Sequence, residues 1–192
     1  METMKGKGTK RVTREHVAAL HDKARCIASA IVETGRQHIP LLVTAALHDC
    51  DGDNCGYGDS ELVAQRMRQL DFTTEEKKDE MALVMRRELA RPEVDALLFI
   101  SEAWIATVPA KEGMEGVASL MRAGGVSKAA NRQEVLLVAV YTKDEHYQSM
   151  NVIARNNGTV KVRPAPLVPM CDEASEARNE MQTMGGRFSL LH

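Results

Sequence analysis

Aromatic rings are scarce in this chain. They make up 4% of its 192 residues, as three Tyr, three Phe and one Trp. Single-stranded nucleic acid is held by stacking bases on rings, so that kind of groove is excluded as a main surface. An excess of one charge is also lacking. Lys and Arg number 25 against 27 Asp and Glu, a formal −2, which argues against a wholesale polyanion binder. No apolar run is long enough to cross a bilayer, because Asp95 and Glu102 interrupt the longest one. The N-terminal M-E-T-M-K-G-K-G-T-K-R has no apolar stretch of the kind a secretory signal needs. The four cysteines (Cys26, Cys50, Cys55 and Cys171) are therefore expected as reduced thiols in a cytoplasmic protein. The motifs G-x-S-x-G, G-x-x-x-x-G-K-[ST] and G-x-G-x-x-G before a helix are all missing, which removes the common nucleophile and phosphate signatures.

What remains is rich in aliphatics. Hydrophobic residues reach 44% and Met numbers 11, so a core of Val, Leu, Ala and Met is implied. The length suits a single domain, taken as residues 15–192, behind a basic arm at 1–14 that carries Lys5, Lys7, Lys10, Arg11 and Arg14. Residues 15–34 have helical spacing at Val17, Leu20, Ala24, Ile27, Ala28 and Ile31, with Thr13 to cap the start and Gly35 to end it. The same spacing puts Cys26 on the buried side. Ile39 to Leu47 reads as a strand. A helix is predicted over Ser60–Leu70, and another after T-T-E-E, with Thr73 and Glu76 as a capping box and Met81, Val84, Met85 and Leu89 inward. A short helix is expected at Gly113–Arg122 with Met114, Val117, Ala118 and Met121 inward. From Glu134 the pattern is a β-meander: a turn near Lys143–Glu145, then an Asn157-Gly158 hairpin. A final helix is predicted at Asp172–Met181. This order argues for an α+β fold with a mainly antiparallel sheet of about five strands and helices packed on it.

The most informative stretch is V-D-A-L-L-F-I-S-E-A-W-I-A-T-V, residues 94–108. It reads as a buried strand with Glu102 in its apolar heart. Alternation sends Ala96, Leu98, Ile100, Glu102 and Trp104 to one face, and Leu97, Phe99, Ser101, Ala103 and Ile105 to the other. A carboxylate in such company must be paired, hydrogen-bonded or neutralised. Glu102 and Trp104 are thus candidate ligand-binding residues, with Trp104 offering a stacking surface. Arg132, just before the meander, is both a candidate partner for Glu102 and a third ligand-binding residue. A structural ion pair is the competing account of the same acid.

A second candidate is the loop H-D-C-D-G-D-N-C-G-Y-G-D, residues 48–59. Asp49, Asp51 and Asp53 match the first ligands of an EF-hand-like loop. Asn54 and Ser60 then break the pattern where the turn glycine and the bidentate acid should stand. His48 with Asp49, Asp51 and Asp53 is the metal-ligand set, and a divalent metal is the one cofactor it would imply. Cys50 and Cys55 lack the second pair of a structural zinc site. A solvated, turn-rich loop accounts for the same composition. The histidines form no H-x-H or H-E-x-x-H motif and read as surface or capping residues.

The segment V-D-A-L-L-F-I-S-E-A-W, followed by N-R-Q-E-V-L-L-V-A-V, resembles a set of uncharacterised bacterial and phage proteins. These share a helix, a strand ending in S-E-A-W, and a later R-x-E strand start. The resemblance spans about half the chain. It implies an association of Glu102 and Trp104 with Arg132 and Glu134, and no particular activity.

The leading expectation is a non-enzymatic cytosolic binding protein and homo-oligomer in a phage–host setting. It would recognise a small anionic or nucleotide-like ligand, or a partner protein, with no membrane association. One alternative is a metal-dependent hydrolase built on His48, Asp49, Asp51 and Asp53. Another is a nucleic-acid accessory protein using the basic arm, although the charge balance makes nucleic acid the less favoured partner.

Overall fold

The computed structural model describes residues 11–49, 60–71 and 74–170. An antiparallel sheet forms the centre, and its strands run β2-β1-β3-β4-β5-β6 from edge to edge. These are β1 (Leu41–Asp49), β2 (Ser60–Gln69), β3 (Ala96–Ile105), β4 (Gln133–Thr142), β5 (His146–Asn156) and β6 (Thr159–Arg163). A two-residue strand, β7 (Val168–Pro169), pairs with the start of β5. Helix α1 (Arg14–Glu33) packs on one face and α2 (Glu75–Leu89) on the other, while α3 (Gly113–Arg122) lies in the β3–β4 connection. The α+β class and antiparallel sheet are as expected, with more strands.

Why each element forms is readable locally. Thr13 caps α1: its hydroxyl accepts from the His16 amide, and His16 Nδ1 accepts in turn from the Thr13 amide at 3.1 Å. This is a capping box with a histidine in the place usual for Glu or Gln. The β5–β6 hairpin turns through Asn157 (φ 45°) and Gly158 (φ 81°), left-handed at both positions as a type I′ turn requires. Val17, Leu20, Ala24, Ala28 and Val32 of α1 meet Val43, Leu98, Ile100, Leu136 and Val138 of the sheet. Met81, Val84, Met85 and Leu89 of α2 meet Leu42, Leu97, Phe99 and Leu137 on the reverse face, as their spacing predicts. Each fully buried Leu or Val contributes about 1.5–3 kcal/mol to holding these layers together.

Several expectations are corrected. Residues 60–69 form a strand, not a helix. Their Glu, Leu, Ala, Gln, Arg and Met are good helix formers, but nine cross-strand partners on β1 override that propensity. A register shift between Thr44 and Ala45 bends this pair. There Asp95 bridges the strand ends, its amide donating to the Ala45 carbonyl and its carboxylate accepting from the Leu47 amide. The cap of α2 is Thr74, not Thr73. On α3, Met114, Val117 and Met121 are exposed rather than inward. The buried side of that helix is Gly116, where an added Cβ would lie 2.5 Å from Val108 Cγ1. Cys26, Ile27 and Ile31 are likewise exposed, because α1 buries the narrower stripe through Ala24, Ala28 and Val32. The helix expected at 172–181 and residues 1–10 of the basic arm lie outside the described residues. Of the rest of the arm, Arg11 pairs with Asp144, Val12 packs against the core, and Arg14 begins α1.

Candidate functional site

Three strands place their polar residues together at one end of the α1 face. Alternation on β3 puts Glu102 and Trp104 there, following Leu98 and Ile100. Register sets Glu134 of β4 opposite Trp104. β5 contributes Arg155, two residues beyond the buried Ile153. The Arg155 guanidinium grips Glu134 with two bonds of 2.8 Å, from Nε and from a terminal nitrogen, and reaches Glu102 Oε2 at 3.5 Å. Glu102 Oε1 also accepts from the backbone amide of His38. The Arg132 guanidinium stands 4.7 Å above the centre of the Trp104 ring, a cation–π distance, and donates to the Ser127 carbonyl.

The three candidate residues Glu102, Trp104 and Arg132 therefore converge, with Glu134 beside them. The cation on Glu102 is Arg155, however, while Arg132 goes to the indole. Arg155 was missed because it lies 53 residues away in sequence. A signal did exist: alternation along H-Y-Q-S-M-N-V-I-A-R puts Tyr147, Ser149, Asn151, Ile153 and Arg155 on one face, an unusually polar set for a core side.

The two carboxyls are pushed in opposite directions. Burial, opposed by the His38 amide, raises Glu102 above the usual carboxylate range, and the neighbouring Glu134 adds to the rise. Its hydrogen bonds from Arg155 hold Glu134 below that range. One acid is thus biased toward its neutral, donor-competent form and the other toward its charged, accepting form. Such divergence between neighbours is a feature of recognition and acid–base sites, and structural ion clusters show it too.

A second polar chain lies deeper on the same face. His21, 2% exposed, has Nδ1 3.2 Å from Asp22 Oδ1 and Nε2 2.7 Å from the Ser149 hydroxyl. With the proton on Nδ1, Nε2 accepts from Ser149, whose oxygen accepts from Asn151 Nδ2 at 2.9 Å. Asn151 Nδ2 also donates to the Leu136 carbonyl, and its Oδ1 accepts from the Ala165 amide. The Ser–His–Asp order mimics a nucleophile, base and orienter. Ser149 is 1% exposed, so a substrate carbonyl has no approach to it and the chain serves to satisfy buried groups.

The metal-ligand expectation is only half visible. His48 Nε2 lies 2.7 Å from the Gln65 side-chain amide nitrogen, at a cavity of about 220 Å³ lined also by Arg66, Glu88, Arg91 and Glu93. Asp49 follows His48 on a strand, where successive side chains take opposite faces. Asp51 and Asp53 lie outside the described residues. Among the described residues no three His, Cys, Asp or Glu side chains gather as a metal site. No helix among them is long and apolar enough to cross a membrane. No protein-family model, curated protein or solved structure matches this chain.

Proposed function

We propose that the chain is a non-enzymatic, cytoplasmic binding protein that holds a small, anionic, nucleotide-like ligand at the Trp104 end of the sheet. The observation that carries this reading is the Arg132–Trp104 stack beside the half-buried, raised-pKa Glu102. A planar base fits against the indole, whose π-face accepts any base. Arg132, exposed and planar, supplies donors for a phosphate. Glu102 meets the polar edge of the base, as donor or acceptor according to its protonation. Arg155 and the His38 amide already fix its direction, so little ordering is lost on binding.

Trp104 is the chain's one tryptophan, so its fluorescence reports this site alone. Titration with ATP, GTP, AMP and inorganic phosphate should give saturable quenching by at least one nucleotide, together with a raised Tm. Arg132→Ala should weaken that binding at least about tenfold, the value of a lost charged contact. Unchanged fluorescence and Tm with all four compounds would overturn the reading.

A further inference from the structure

The cavity of about 220 Å³ beside His48 lies between the β1–β2 ribbon and the end of α2. A bulge shapes its strand wall. Thr44 pairs with Arg66 and Ala45 with Ala64, which leaves Gln65 as an extra residue. Neighbours on a regular strand take opposite faces, yet Gln65 and Arg66 both line this cavity. The Gln65 side chain meets His48, whereas Arg66 has no hydrogen bond or ion pair among the described residues. Thr44 lies on the same wall, 5% exposed, and its hydroxyl is likewise without a partner among the described residues. The helix wall carries Glu88, Arg91 and Glu93. Arg91 and Glu88 form an ion pair of 3.2 Å, and Glu93 is left unpaired among the described residues. One wall is thus net positive and the other net negative. Arg66 and Glu93 face one cavity with opposite charges and do not pair with each other.

From this division of charge we infer that the cavity binds a small zwitterion, a free α-amino acid with a short side chain. Its carboxylate takes the Arg66 fork and the Thr44 hydroxyl, and its ammonium takes Glu93 at the negative pole of α2. The chemistry follows from the walls. A simple anion would satisfy Arg66 and face Glu93 with like charge, and a simple amine would meet the reverse. An uncharged molecule would leave both ions unmatched. The volume is below the roughly 300–1,000 Å³ of pockets that hold drug-sized molecules. Ala46 and Val94 offer only a small apolar surface, so a bulky side chain is disfavoured. Thr44 shares the α2 face with Leu42, whereas Trp104 shares the α1 face with Leu98 and Ile100. The inference therefore does not rest on the nucleotide reading.

The test uses the full chain, with glycine, L-alanine and L-serine as probes. Propionate and ethylamine carry one charge each and serve as controls, and L-phenylalanine tests size. Calorimetric titration should show saturable binding of at least one of the three probes, together with a raised Tm. Propionate, ethylamine and L-phenylalanine should bind at least about tenfold more weakly. Arg66→Gln and Glu93→Gln replace exposed side chains and should leave the ligand-free Tm unchanged. Each should weaken the best probe about tenfold, the value of a lost charged contact. Thr44→Val should weaken it about fivefold, as expected for one neutral hydrogen bond. Failure of glycine, L-alanine and L-serine to bind would overturn the proposal. So would propionate or ethylamine binding as tightly as the best probe, or unchanged affinity in either charge variant.

Discussion

Toward α2, strand β3 sends Leu97 and Phe99 into a layer of Leu, Val, Met and Ala. Toward α1, the same strand sends Leu98 and Ile100 into the core and then Glu102 into an ion cluster. The α1 face also holds the His21–Ser149–Asn151 chain. On the α2 face burial dominates and the helix adds the exposed Lys77–Asp71 ion pair, whereas the α1 face adds directed bonds that are themselves buried. Apolar contact is proportional to area and indifferent to direction, so by itself it allows a helix to slide. The His21–Ser149 bond fixes α1 at one position along β5, and the Glu33 carboxylate fixes its far end by accepting from the Val162 amide. Exactitude of placement is needed on the face that carries the Trp104 site.

The contrast can be broken most strongly on its plain side. Leu97→Ala, at a position 1% exposed, should cost about 3 kcal/mol, read as a lower urea midpoint with an unchanged slope. A loss below about 1 kcal/mol would mean that the α2 layer contributes little. On the polar side, Ser149→Ala strands the buried His21 Nε2 and should cost about 2 kcal/mol. Its signature is faster amide exchange in α1 than in α2, and equal acceleration in both helices would contradict the anchoring role.

The smallest effect sharpens the comparison through pH. Burial lowers His21 and His38 from 6.5, so the unfolded chain binds more protons just below that pH. Their contribution is complete above pH 6.5 and is lost as pH falls through their folded values. Glu102 is raised from 4.5, so its contribution is complete below 4.5 and is lost as pH rises through its folded value. The two effects oppose each other in mild acid. Glu102→Gln keeps an acceptor for the His38 amide and removes the opposing titration. It should cost under about 1 kcal/mol at neutral pH. It should also steepen the rise of stability with pH between 4.5 and 6.5, and an unaltered slope would show that Glu102 ionises normally.

Local patterns made much of this fold legible. Strand alternation placed Glu102 and Trp104 on one face, and the Asn157-Gly158 turn and the α2 stripe came directly from residue type and spacing. What stayed hidden depended on partners distant in sequence. Residues 60–69 look helical until β1 pairs with them, and beyond Val63 this edge strand is exposed, which erases the alternation that marks buried strands. Spacing alone puts the apolar face of α3 inward, but the side that packs is the one where Gly116 permits a close approach to Val108. Arg155 reached Glu102 only through two successive strand registers.

The outer margin of β2 has a consequence for how this protein behaves in a crowded solution. A terminal strand with open amides and carbonyls is a template on which a foreign strand can grow. Here Gln65, Arg66 and Arg68 occupy its exposed half, and the irregular step at Thr44/Ala45 bends the ribbon away from the flat geometry that stacking needs. A strand approaching this margin would have to desolvate two guanidinium groups and conform to a bend. The same margin that hid its structure in the sequence thus guards the sheet against runaway fibre growth.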